Sequence, residues 1–434
     1  MKAVRRYGGR AVGYGAWLTG FALTVTVLTY PFDNISAQQV PRYRGTAVPP
    51  SEPGSELTVY LMTMGPGRRV WERFGHNAIW IHDPVRGTDQ AYNYGMFDFR
   101  QQNFLLRFIQ GRMWYWMQGA PVELYIEQYR RDNRSIWVQE LEIVPGARRE
   151  LQKFLEWNER PENRFYHYDY YRDNCSTRIR DALDRALGSD IYRQTRSAPT
   201  GRTYRFHTQR LTANDPAVYS GLLLGLGQPV DRPISVWQEM FLPLAVREHL
   251  RTLTVTRRDG SPAPLVRSER TIFESSDPPP PSTPPLWLPF YMAGGLALGG
   301  GAYGLATLAR HRRSARLGFL ILTWIWVLVT GIAGAVLLGL WGLTDHAAAY
   351  YNENVLQMNI LALPLLGLLP GFIRGKQSSA RRTLAFAAIV AAISLLGLVL
   401  KLLPQFSQNN GQVIAFAFPA HAGIAAALWK LARS

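Results

Sequence analysis

The sequence predicts an α+β domain outside a membrane, followed by an all-α bundle of five transmembrane helices. Three observations predict it. Strand-like runs (LTVYLMTM, NAIWIHD, SIWVQELEI) mix with helix-like runs (RRELQKFLEWNER, NCSTRIRDALDRAL) between residues 45 and 276, and such a mixture argues α+β. Five apolar runs come after it, at 286–309, 317–343, 355–373, 383–403 and 412–430, each near the ~20 residues that cross ~30 Å of hydrocarbon. The segments between them alternate in charge. RHRRSAR (310–316), RGKQSSARR (374–382) and the KLARS tail are basic, whereas DHAAAYYNEN (345–354) and QFSQNNGQ (405–412) hold no lysine or arginine.

Taken in order, the first element is MKAVRRYGGR with an apolar stretch behind it, ending near residue 32. A basic head and about 20 apolar residues fit a signal anchor or a signal peptide. Ile35-Ser36-Ala37 is a mediocre cleavage site, which favours an uncleaved anchor over residues 1–32. Either way, the domain behind it is exported. This soluble domain occupies 45–276. The proline-rich segment 277–285 reads as a stiff, extended linker. The membrane domain is 286–434. Basic loops face the cytoplasm, so about 33–285 lies on the far side and the crossings alternate without conflict. The glycine-rich run 286–309, and 355–373 with Pro364 and Pro370, are the weakest; a re-entrant segment is the alternative there, and the charge alternation argues against it.

The net charge of +17 follows the same division. Residues 41–280 hold 33 of the 48 basic and 28 of the 31 acidic side chains, so most of the excess flanks the apolar runs. A bilayer explains that placement better than nucleic acid does. The basic stretch RRDNR has no aromatic platform beside it. No Walker loop, dinucleotide fingerprint or zinc spacing is present, so no cofactor and no metal is expected.

The 434 residues include one cysteine, Cys175. An isolated cysteine is by default a small buried hydrophobe. The words around this one suggest more. In DNCSTRIRDALDRALG, Asp173 and Asn174 are good N-caps, Ile179, Leu183 and Leu187 form an apolar helix face, and Gly188 closes the helix. Cys175 therefore falls in the first turn, where free N–H groups and the dipole favour a thiolate and an oxyanion. The basic partner is sought among His76, His82, His167, His207 and His249. His76 follows Gly75, which allows close approach, and opens the strand-like NAIWI. His82 shares its strand face but lies roughly 20 Å away at ~3.3 Å per residue, too far to serve the same thiol. Arg178 and Arg180 are expected to pair with Asp173, Asp181 or Asp184. The aromatic stretch with Phe104, Phe108, Met113, Trp114 and Trp116 is expected to be core, with an interfacial surface as the alternative.

Between Thr58 and Leu183 the pieces VYLMTMGPGRRVWERFGHNAIWI, YNYGMFDF, NFLLRFIQGRMWYWM, YRRDNRSIWVQEL and YHYDYYRDNCSTRIRDAL resemble the bacterial Lnb N-terminal periplasmic domain family. TYRFHTQR and WQEMFLPLAV continue the likeness. The resemblance implies a circularly permuted papain-like domain, in which the histidine strand precedes the cysteine helix. It implies a lipoprotein N-acyltransferase in the bacterial inner (cytoplasmic) membrane, with a membrane phospholipid as acyl donor and a lipoprotein as acceptor. Cys175 would then be the nucleophile and His76 the base, with Asn93 as the orienting group and Tyr94 behind it. TDHAAAYYNENVLQMNILALPL resembles the outward loop of the longer members. Asp345, His346, Asn352 and Asn354, with Asn174 beside the thiol, are accordingly expected to bind substrate; a hydrated loop with helix caps is the alternative for the first four. The rival functions are a cell-wall cysteine peptidase or amidase on the same fold, and a non-enzymatic membrane scaffold or sensor.

Overall fold

The computed structural model describes residues 52–98 and 100–433; the anchor or signal segment expected over 1–32 lies outside them. The soluble domain is built on seven strands: β1 (Thr58–Met64), β2 (His76–Asp83), β3 (Thr88–Met96), β4 (Trp114–Pro121), β5 (Ile136–Leu141), β6 (Phe165–His167) and β7 (Val266–Phe273). They form one antiparallel sheet in the order β7-β5-β1-β2-β3-β4-β6.

Alternation along the strands produces two apolar faces. Val59, Leu61, Ile79, Ile81 and Tyr94 point one way and pack with Leu151 and Leu155 of α3 (Pro145–Asn158) and with Ile179 and Leu183 of α4 (Cys175–Ala186). Met62, Met64, Ala78 and Trp80 point the other way, against Val122, Tyr125 and Tyr129 of α2 (Val122–Arg131). The sheet is thus covered on both sides, and the site lies where α4 meets the ends of β2 and β3.

The expected aromatic core over 104–116 forms only in part. Met113 is buried, but Phe108 is exposed with its neighbours on the short helix α1 (Phe104–Gln110).

The C-terminal region is helical: α6 (Leu288–Leu308), α7 (Arg313–Leu343), α8 (Pro364–Ile373), α9 (Gln377–Val399) and α10 (Gly411–Ala432). Of the five expected crossings, length and apolarity mark three outright among the described residues, and a fourth if the bent pair 353–362 and 364–373 is one span. The three are Arg313–Leu343, Gln377–Leu402 and Gly411–Ala432. Leu288–Leu308 is a 21-residue helix whose glycines lower its hydropathy. Gly295 and Gly299 let it lie against the backbone of α10: a β-carbon at either would stand 2.3 Å from the carbonyl oxygen of Phe416 or Pro419. Small residues four apart are how apolar helices approach closely.

The third apolar run, 355–373, is broken. Residues 353–362 form short 3₁₀ turns, and α8 leaves them at a bend of 48°. The cause is local. Asn352 and Asn359 turn their side-chain oxygens onto the N–H groups of Asn354 (3.0 Å) and Leu361 (2.9 Å), competing with helical bonding, and Pro364 starts a fresh helix.

An apolar helix of the soluble domain, α5 (Pro216–Gly225), joins the two regions. Its last carbonyls lack intrahelical donors, and the membrane region supplies them. Asn352 Nδ2 donates to Leu224 and Gly225 (2.9 and 3.0 Å), and Asn354 Nδ2 to Leu223 and Leu224 (3.1 and 2.9 Å). Gln408 donates to Leu226 at 2.9 Å. Gly227 sits so near Tyr350 that a β-carbon would stand 1.9 Å from its carbonyl oxygen.

Candidate functional site

The capping expected of DNCS is built by Asn174. Its Oδ1 accepts from the N–H groups of Ser176 and Thr177, both at 2.9 Å, while its Nδ2 donates to the carbonyls of Tyr170 and Phe241, both at 3.0 Å. The side chain is buried, and both ends of its amide are engaged in holding the helix start. Cys175 is the first helical residue and keeps partial exposure.

A second amide ties that turn to the histidine strand. Asn77, fully buried in β2, accepts from Ser176 Oγ at 2.7 Å and donates to Thr63 Oγ1 at 2.9 Å. The backbone N–H groups of Asn77 and Ser176 point to the sulfur of Cys175. Such donors suit an oxyanion as well as a thiolate.

His76 and Cys175 both border the space at Gly95. A β-carbon on this glycine would lie 3.3 Å from Cys175 Cβ and 3.6 Å from His76 Cε1. Gly95 falls where β3 slips register against β4, between Tyr94 and Met96, with φ of +102°. A bulge beside a reactive pair is a recurrent device for re-aiming side chains. The glycine that leaves room for the cysteine is therefore Gly95; Gly75 instead packs toward Met64 and Pro243.

Strand register brings Asn93 to His76. Asn93 pairs with Ala78, placing it diagonally beside His76 on the same face. His76 Nε2 and Asn93 Oδ1 are 3.1 Å apart. An amide oxygen only accepts, so Nε2 carries the hydrogen and Nδ1 keeps its lone pair. Behind Asn93 stands Tyr125, whose hydroxyl accepts from Asn93 Nδ2 at 2.5 Å. The expected Tyr94 cannot fill that role. It is on the opposite face of the strand, where its hydroxyl donates to Asn158 Oδ1 at 2.6 Å.

Sequence reasoning missed Arg134. The His76 ring stacks on Tyr129 (centroids 6.4 Å, planes 17° apart), and the Arg134 guanidinium covers Tyr129 at 4.5 Å. Arg134 is buried, its Nε donates to Gly65 at 2.9 Å, and its Nη2 has no hydrogen-bond partner among the described residues. An isolated arginine in RRDNRS gives no signal of this in one dimension. Tyr115, Tyr166 and Tyr168 line the thiol's other side; Tyr115 and Tyr168 stack at 4.2 Å.

The electrostatics correct one expectation. Burial pushes the Cys175 thiol up to about 11, outweighing the backbone N–H groups of Asn77 and Ser176 and the charge of Arg134, which favour the thiolate. Burial first, then Arg134, pulls His76 down to about 4, against the hydrogen bond to Asn93. The resting pair is a neutral thiol beside a neutral imidazole, not a preformed thiolate, because desolvation of a charge exceeds what the helix start returns.

The remaining histidines of the soluble domain are placed elsewhere. His82 pairs with Asp89 at 2.9 Å, His167 stacks on Trp114 at 4.0 Å, and His207 and His249 share the buried Glu239 at 2.8 and 2.7 Å. Arg178 pairs with Asp173, and Arg180 with Asp181. Of the loop residues expected at substrate, Asp345 and His346 come to the Cys175 side. His346 faces the Tyr170 ring at 6.2 Å, and the Tyr170 carbonyl binds the Asn174 amide. Asp345 pairs with Arg112 at 2.6 Å. Asn352 and Asn354 are not brought there; they are buried against α5.

A soluble α+β domain seated on membrane-length helices, with cysteine, histidine and asparagine gathered at a sheet end, defines a membrane protein with a domain outside the bilayer. Comparison places it within that class. Residues 51–210 match the Lnb N-terminal periplasmic domain, and residues 300–429 match the Lnb transmembrane domain. The chain belongs to the Lnb-type family with a C-terminal membrane region, and its soluble part is periplasmic. No curated protein and no solved structure matches it.

Proposed function

We propose that this chain is a lipoprotein-modifying acyltransferase of the inner membrane, using Cys175 as nucleophile, His76 as base and Asn93 as the group that orients His76, on a permuted papain-like domain. The observation that carries the reading is that Cys175 and His76 both border the space at Gly95, with Asn93 fixing the tautomer. As the sulfur bonds to an ester carbonyl of a phospholipid, its proton passes to His76 Nδ1. Collapse of the tetrahedral intermediate breaks the ester bond, and the departing alcohol takes that proton, leaving a thioester. The N-terminal amine of a diacylglyceryl-cysteine then attacks the thioester, and its proton returns through His76 to the sulfur. Two moderate steps replace one difficult one. The N–H groups of Asn77 and Ser176 serve the oxyanion, and the tyrosines give an acyl chain an apolar wall.

The bundle favours acyl transfer over the rival peptidase, which needs only an anchor. The test uses acyl-labelled phospholipid with a diacylglyceryl-cysteine peptide in vesicles. Label should appear on the peptide amine with the parent and be absent with Cys175→Ser. Cleavage of cell-wall peptides by the parent without acyl transfer would select the peptidase.

A further inference from the structure

We propose that α1 is an interfacial helix that lies in the outer leaflet, with Leu105, Leu106, Phe108 and Ile109 among the acyl chains. The four side chains are 68%, 54%, 47% and 51% exposed. They are successive neighbours on one side of a seven-residue helix, so the apolar side of FLLRFIQ faces away from the protein rather than into it. Single exposed leucines need no explanation, but a contiguous patch does.

The cover for this patch can be inferred from where α1 is tied. The chain leaves α7, the longest membrane helix, at Leu343. Two residues later the Asp345 N–H donates to the Gln110 carbonyl at 2.8 Å, and the Asp345 carboxylate pairs with Arg112 at 2.6 Å. His346 Nε2 donates to the Phe108 carbonyl at 3.0 Å. Gly111, with φ of +74°, lets this loop close on the helix: a β-carbon there would stand 3.1 Å from the His346 nitrogen. Three hydrogen bonds therefore hold α1 at the level where α7 leaves the hydrocarbon. At the end of α7 from which the loop runs to α1, Leu343 and Trp341 are themselves exposed. Arg100 and Arg112, paired with Asp98 and Asp345, flank the helix, as charged residues beside an interfacial helix do. Asp345 and His346 are thereby given a second role, as the mooring of a membrane-contacting helix at the Tyr170 side of the site.

The inference rests on the placement of the bundle in a bilayer, not on the chemistry at Cys175. Because Cys175 is the chain's one cysteine, Cys175→Ser leaves a background for single probes. Leu106→Cys, Ile109→Cys and, as a control, the exposed Arg258→Cys would each carry an environment-sensitive fluorophore in the full chain, reconstituted in phosphatidylethanolamine–phosphatidylglycerol vesicles. Probes at 106 and 109 should be quenched by lipids carrying a nitroxide on the acyl chain and shielded from aqueous iodide; the probe at 258 should respond to iodide. Iodide quenching at 106 and 109 equal to that at 258 would overturn the proposal. So would shielding from both quenchers, which would mean that protein covers the helix.

Discussion

Glycine 95 leaves open the space that Cys175 and His76 both border. Gly95→Ala adds a β-carbon 3.3 Å from Cys175 Cβ at a φ of +102°, a strain of roughly 1–3 kcal/mol placed between the reacting groups. The expected result is a fall in acyl transfer of about 10²-fold with the membrane region intact, measured as turnover in vesicles. The titration of His76 gives a second prediction. A base must be neutral, and burial and Arg134 hold His76 near 4, so the rate should stay level through pH 6.5 and fall only as pH approaches about 4. Arg134→Met removes a charge that lowers both groups; the acid limb should then move to higher pH. A parent profile with its acid limb at pH 6.5, or an unmoved limb in Arg134→Met, would count against the assigned electrostatics. Cys175, His76 and the helix cap are legible in the sequence because GHNAIW and DNCSTRIRD carry local signals. Gly95 had a signal too, a glycine within a strand-like run. Arg134 and Tyr125 had none, since their roles arise from the packing of α2 on the sheet.

At the scale of elements, the broken run and α5 depend on each other. Asn352 and Asn359 interrupt the third apolar run, and the amides of Asn352 and Asn354 close the end of a periplasmic helix. The turn at 353–362 leaves backbone groups inside an apolar bundle, where they must be satisfied by side chains. His421 Nε2 donates to the Gln357 carbonyl at 2.9 Å, and Trp326 Nε1 donates to His421 Nδ1 at 3.2 Å. Asn354→Leu would take this donor from the Leu223 and Leu224 carbonyls, which keep Arg205 and Asn352, and would leave the buried Asn410 amide without its acceptor, at a cost of about 1–3 kcal/mol. It should lower the melting temperature in detergent by several degrees and loosen the periplasmic domain, read as faster proteolysis near α5; an unchanged melt would argue against the clamp. Periodicity alone reads 355–373 as one crossing, because hydropathy averages over asparagines that act one at a time.

For the whole molecule, the alternation of basic loops with loops that hold no lysine or arginine has a physical counterpart. Arg310 reaches the Lys430 carbonyl at 3.3 Å at one end of the bundle. At the other end, beside the soluble domain, Glu353 pairs with Lys401 and accepts from the Gln408 N–H at 2.9 Å. In the Cys175→Ser background, Ser261→Cys should react with a membrane-impermeant maleimide on intact cells, and Ser314→Cys only after permeabilisation; the reverse pattern would invert the topology. The two-region plan was readable from composition, while the close glycine packing of Leu288–Leu308 and the break at 353–362 were not, because a glycine-rich segment and an asparagine-broken one carry enough apolar residues to look like the others. The proposed acyl transfer requires that one sulfur carry the acyl group. After brief exposure of the protein to phospholipid without acceptor, the peptide containing residue 175 should gain the mass of one acyl chain, lost again on treatment with hydroxylamine. An unmodified Cys175 in a preparation that still transfers acyl groups would contradict that requirement.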